Sequence, residues 1–125
     1  NKLIFPEEIY LDLSNNQLLS FDYILFEERP IKHLNLNRNN IQSFHFSILK
    51  KFTGLQSFYL SFNSLNNFNY SKIPYFYYIE NIDLSNNNLT IIPDDFLVYY
   101  FSLKFLNLSK NRLIFLYDNL FHKLI

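Results

Sequence analysis

Two short stretches place oxygen-bearing side chains on alternate positions, Asp12-x-Ser14-x-Asn16 and Asp83-x-Ser85-x-Asn87, the arrangement with which a calcium-binding loop begins. Such a loop also needs glycine at its sixth place, for a sharp turn, and glutamate at its twelfth, to close the site with two oxygens. The chain offers Gln17 and Tyr23 in the first stretch and Asn88 and Asp94 in the second, so neither is expected to hold a metal. His33, His45 and His122 share no spacing that suggests a metal site or a catalytic triad, and read as surface residues. With no cysteine there is no thiolate nucleophile, no zinc–thiolate site and no disulfide. Gly54, the one glycine, cannot build a phosphate-cradling loop. The expectation is a chain without a catalytic site, a metal or a cofactor.

What the sequence has in excess is asparagine, eighteen in 125 residues, and its placement is periodic. Leu11-Asp12-Leu13-Ser14-Asn15-Asn16-Gln17-Leu18 and Ile82-Asp83-Leu84-Ser85-Asn86-Asn87-Asn88-Leu89 are near copies, and the same frame recurs from Leu34 to Ile41, Phe58 to Leu65 and Leu106 to Leu113. The framed asparagines Asn16, Asn39, Asn63, Asn87 and Asn111 are 23, 24, 24 and 24 residues apart. Ile31, Leu55, Ile79 and Leu103 open four of the units, and Glu8 stands at that place in the first. Phe21, Phe44, Phe68, Ile92 and Leu116 follow the asparagine by five places, and Phe52, Phe76, Tyr100 and Leu124 by thirteen in the last four units.

The physics of this frame is a stack. In Leu-x-Leu alternate side chains of a short strand point to opposite faces, so Leu11/Leu13, Leu34/Leu36, Phe58/Leu60, Ile82/Leu84 and Leu106/Leu108 face inward. Strands stacked about 4.8 Å apart form a parallel sheet in which each coil covers the apolar edge of the next. A buried asparagine, with two donors and an acceptor oxygen, can satisfy backbone groups of its own coil and of a neighbour, which predicts a ladder of Asn16, Asn39, Asn63, Asn87 and Asn111. The returning stretches, such as Asp94 to Tyr100 after Pro93, have helical or 3₁₀-like apolar spacing. Phenylalanine is expected to fill the interior of that side, and the run Tyr75-Phe76-Tyr77-Tyr78 is read as coil-to-coil packing.

The frame L-x-x-L-x-L-x-x-N-x-L resembles the leucine-rich repeat family over essentially the whole chain. The resemblance implies an α/β solenoid, a horseshoe with a concave parallel β-sheet and a convex side of short helices, 3₁₀ turns and loops. The unit of 24 residues, with Leu89-x-x-Ile92-Pro93 and Phe96 four residues beyond Ile92, is similar to the subclass common in extracellular receptors and matrix proteins. The expected organisation is a lead-in over about 1–7 and repeats over about 8–30, 31–54, 55–78, 79–102 and 103–125, as a fragment of a longer array. The proline-containing lead-in from Phe5 resembles the entry of such ectodomains, whereas their usual cysteine-rich caps have no counterpart here. Ends without a polar cap predict self-association through exposed apolar edges.

Binding in this family usually occupies the concave sheet, so the outward strand positions are the candidate surface. They form columns: Tyr10, His33, Ser57, Asn81, Phe105; Asp12, Asn35, Tyr59, Asp83, Asn107; Ser14, Asn37, Ser61, Ser85, Ser109; and Asn15, Arg38, Phe62, Asn86, Lys110. Aspartate, asparagine and serine are the repeat's own defaults there. Tyr59 and Phe62 depart from them on the central coil, and exposed aromatics on rigid strands make good anchors. The expected ligand-binding surface is Tyr59 and Phe62 with His33, Arg38, Phe105 and Lys110 as a basic and aromatic rim, together with Tyr10 and Asp83.

Eleven Lys plus Arg balance eleven Asp plus Glu, so the field that would steer nucleic acid or an anionic membrane is missing. The longest apolar stretches, such as Leu113 to Tyr117, fall far short of the ~20 residues of a spanning helix, so no direct membrane insertion is expected. Acceptor sequons for glycosylation begin at Asn69, Asn88 and Asn107, against about two expected by chance from this composition. The reading is a protein-binding module, a segment of a receptor-type or secreted ectodomain with a protein ligand and an extracellular or cell-surface location. Two alternatives stand beside it: a cytoplasmic scaffold or regulatory subunit of the same fold, and the sensor segment of a larger enzyme or receptor.

Overall fold

Inward-facing apolar pairs at a constant interval leave short strands one geometry in which all of them are covered, which is side-by-side parallel stacking. The computed structural model, which describes residues 9–26, 29–67, 78–98 and 100–121, has this arrangement. Five strands, β1 (Ile9–Asp12), β2 (Ile31–Asn35), β3 (Ser57–Tyr59), β4 (Asn81–Asp83) and β5 (Phe105–Asn107), lie in sequence order in one parallel sheet. The register follows the repeat, aligning Leu11, Leu34, Phe58, Ile82 and Leu106 across the sheet. An irregularity between Ile9 and Tyr10 interrupts the pairing of β1 with β2.

The ladder runs on past the strand ends. The amides of Leu13, Leu36, Leu60 and Leu84 donate to the carbonyls of Asn35, Tyr59, Asp83 and Asn107 at 2.8–2.9 Å, each coil bonding to the next. Just beyond, Asn15, Arg38, Phe62 and Asn86 donate to Asn37, Ser61, Ser85 and Ser109 at 2.9–3.1 Å, although these four residues, with Lys110, hold positive φ of 52–58°. The fourth column of the sequence reading is therefore a column of left-handed turns.

The core lies between the sheet and the returning segments. Leu34, Leu36, Phe58, Leu60, Ile82 and Leu84 are fully enclosed, while Leu11 and Leu13 in the first coil and Leu106 and Leu108 in the last are half-buried, because among the described residues only the inner coils are covered on both sides. Phenylalanine fills the wide interior: Phe44 packs on Phe58 at 5.0 Å between ring centroids, and Phe46 meets Phe44 and Phe96 edge-on at 5.3 and 5.5 Å. Such geometries suit the ring quadrupole. Burial also pushes the Tyr100 phenol far above its ordinary pKa, so it stays neutral.

No α-helix occurs among the described residues. The returns are 3₁₀ helices over Tyr23–Phe26 and Phe46–Lys51 and turns over 94–98 and 118–121. A stretch this short forms few i to i+4 bonds, whereas the tighter 3₁₀ turn forms in short pieces. The lead-in 1–7, Glu8, Phe68, Asn69, Tyr75 to Tyr77, Phe76, His122 and Leu124 lie outside the described residues.

Candidate ligand-binding surface

The framed asparagines connect the coils. Asn39 Nδ2 donates to the carbonyls of Leu36 in its own coil and Leu13 in the preceding one, both at 3.0 Å, and its Oδ1 accepts from the Leu18 amide at 3.0 Å. Asn63 does the same with Leu60, Leu36 and the Ile41 amide, Asn87 with Leu84, Leu60 and the Leu65 amide, and Asn111 with Leu108, Leu84 and the Leu89 amide. Among the described residues Asn16 donates only within its own coil, to Leu13 and Ser14. These bonds hold the turn in which the left-handed column sits.

The Asp/Asn column closes that turn from the other side. Asp12, Asn35, Asp83 and Asn107 each accept, through Oδ1, the amide of the residue two places on, at 2.9–3.1 Å. For Asp12 the Ser14 side chain and then the Ser14 amide, working against slight desolvation, lower the carboxyl pKa from its ordinary value. Asp83, included in the candidate surface, thus has one carboxylate oxygen engaged by the Ser85 amide.

Tyr59 breaks the column, having no such oxygen. The Ser61 amide donates instead to Asn37 Oδ1 of the preceding coil, at 2.7 Å. Asn37 stands where all four other coils carry serine, so two departures in adjacent coils compensate one another. The departure at Asn37 is visible in the sequence, where asparagine by itself reads as one of the repeat's defaults.

Four of the eight candidate residues form two pairs. The Arg38 guanidinium lies 4.1 Å over the Phe62 ring, a cation–π contact beside the half-buried Tyr59. Tyr10 and His33 stack at 5.5 Å with planes 23° apart. Phe105 is exposed on β5 with β4 between it and Tyr59, where Asn81 bonds to Ser57 Oγ at 3.1 Å. Lys110 is exposed two coils from Phe62, with Asn86 between them. Phe62 is not on β3, which ends at Tyr59; it sits in the turn beyond, because the frame needs a left-handed residue before its asparagine. The same applies to Arg38 and Lys110.

Elsewhere His45 is half-buried, and its Nδ1 is hydrogen-bonded to Ser47 Oγ at the start of the second 3₁₀ helix. Among the described residues no three His, Asp or Glu side chains gather as metal ligands, and no helix is long and apolar enough to cross a membrane.

A family model described as Leucine Rich Repeat matches residues 78–98. The chain carries a leucine-rich repeat there. No curated protein matches the chain. The matched leucine-rich repeat holds β4, the Asp83 turn, the left-handed Asn86 and the bridging Asn87; the left-handed residue and the bridging asparagine recur beside β2, β3 and β5, and the turn-closing oxygen recurs at β2 and β5. In general the leucine-rich repeat is a non-enzymatic protein-interaction module.

Proposed function

We propose that this chain recognises a protein ligand on the outward face of its sheet, with Tyr59 and the Arg38–Phe62 pair at the centre. The observation that carries this reading is Phe62: a bulky side chain at φ 52° and 43% exposed. A left-handed conformation costs an L-residue about 1–2 kcal/mol, which asparagine at the same place in two other coils tolerates well. Phe62 does not recover that cost by full burial, and aromatic and arginine side chains held rigid and half exposed are what interface anchors require. Tyr10 with His33, Phe105, Lys110 and Asp83 extend the same face.

The reading places the chain in a receptor-type or secreted ectodomain with a signalling role. The similarity of the 24-residue unit and of Leu89 to Phe96 to the extracellular subclass supports it. The five framed asparagines are then the structural ladder of a five-repeat array.

A photo-reactive phenylalanine at position 59 on the full chain, with a control at the exposed Gln42, tests the surface on intact cells. One protein adduct is expected from position 59 and none from Gln42, with the adduct lost when Phe62→Ala is added. Equal capture from both positions, or none from position 59, overturns the placement. Against the ligand so recovered, Tyr59→Ala with Phe62→Ala should weaken binding by about 2 kcal/mol or more.

A further inference from the structure

Two neighbouring inner coils carry outward side chains without a single carboxylate. The second coil presents His33, Asn35, Asn37 and Arg38, and the third Ser57, Tyr59, Ser61 and Phe62, so the one permanent charge among them is the Arg38 guanidinium. The acids of the same face, Asp12 on β1 and Asp83 on β4, flank these strands, and each has one oxygen engaged in closing its own turn. Among the described residues Arg38 makes no ion pair and no side-chain hydrogen bond; its contact is the Phe62 ring, at 4.1 Å.

An unpaired arginine on a surface is ordinary when water solvates it and its long side chain moves freely. Arg38 differs in being seated on a ring that the left-handed turn holds in place. The ring takes the face of the guanidinium and leaves the five N–H donors without an acceptor among the described residues. Two further donors stand beside it. Asn37 Oδ1 accepts the Ser61 amide at 2.7 Å, which sets the direction of the side-chain amide and leaves Nδ2 without an acceptor among the described residues. The hydroxyl of the half-buried Tyr59 has no partner among them either.

We propose, resting on the reading that the outward face binds a protein ligand, that this place receives an aspartate or glutamate side chain of that ligand. Arg38 holds the carboxylate through two parallel N–H bonds, while Phe62 and Tyr59 cover the apolar carbons next to it. The planar guanidinium matches a carboxylate in this way, and one already seated on a ring loses less freedom on binding. The charge balance favours a carboxylate over a phosphate, because a phosphate carries nearly two charges and is usually met by a cluster of arginines. Arg38 has no such cluster: Lys110 is separated from it by Phe62 and Asn86 in the column, and Lys32 stands at the other end of β2.

Random peptides displayed on phage and selected on the full chain test this. The enriched peptides should share one acidic residue beside an aromatic or aliphatic one. In the best binder, made synthetically, replacing that acid with glutamine should weaken binding about tenfold or more. Arg38→Asn, the residue that Asn15 and Asn86 supply at the same left-handed place, should lose a similar factor with an unchanged circular dichroism spectrum. The two changes together should cost little more than either alone, as expected of partners in one contact. Arg38→Lys, which keeps the charge without the planar fork, should recover little. Fully additive losses, wild-type affinity in Arg38→Lys, or tighter binding with phosphoserine in place of the acid overturns the proposal. Peptides weakened by Tyr59→Ala but not by Arg38→Asn overturn it while leaving the outward face as the binding surface. Binders indifferent to both substitutions, or no binder at all, overturn both readings.

Discussion

Asn37 Oδ1 accepts the Ser61 amide at 2.7 Å across the boundary between two coils. The bond replaces one that an aspartate or asparagine at position 59 would make within its own coil, so Asn37 allows β3 to end in an outward tyrosine. Asn37→Ala should destabilise the chain by about 1 kcal/mol, since it strands a partly buried amide. Tyr59→Asp in that background should return most of the loss, because Asp83 holds the Ser85 amide in that way. Denaturant midpoints of the two variants check both halves, and a second substitution that recovers nothing would refute the exchange.

Phe62 should separate stability from binding. Asparagine accepts the left-handed φ of 52° that phenylalanine tolerates poorly, so Phe62→Asn is expected to hold or raise the thermal midpoint while abolishing ligand capture. The lost stacking with Arg38 offsets part of the gain, at about 0.5–1 kcal/mol. A clear fall in stability would mean that the ring is held by packing and is not an anchor kept for a partner.

The asparagines should not be equivalent. Asn63→Ala leaves the Ile41 amide and the carbonyls of Leu36 and Leu60 short of a partner in the interior, at about 2–4 kcal/mol. Asn16→Ala removes two bonds within one exposed turn and should cost well under half as much. Equal losses in urea unfolding would show that the bridge between coils carries no special weight.

Acid should weaken the first turn. The Asp12 carboxyl is lowered from its ordinary value in the folded chain, so its contribution is complete above that value and is lost as pH falls through the lower folded one. Asp12→Asn keeps an oxygen acceptor without a charge, and is expected to flatten the acid limb of the stability curve slightly, the site being exposed to solvent. Thermal midpoints of both chains between neutral and strongly acidic pH measure the difference; parallel curves would assign the acid limb to other groups.

The repeated frame made the sheet legible, because Leu-x-Leu at a constant interval has one covered arrangement and the five strands align at the positions it marks. The column Asn15, Arg38, Phe62, Asn86, Lys110 was legible as a column but not as a turn, although asparagine at two of its places pointed to positive φ. The α-helical alternative for the returns was open in the sequence, since apolar spacing alone does not distinguish a short α-helix from a 3₁₀ turn or an irregular one. The pairing of Arg38 with Phe62 and of Tyr10 with His33 depends on which neighbouring columns lean together, and a sequence pattern carries no such distances.

The sequence by itself determined the stacking, the inward residues and the places of the bridging asparagines, since period and polarity leave no other way to cover the apolar pairs and satisfy the turns. Tertiary structure alone decided how the turns close, which coil supplies Asn37 to Ser61, and how the outward side chains pair. Those facts are distances between coils some 24 residues apart along the chain, and they exist only once the coils are side by side.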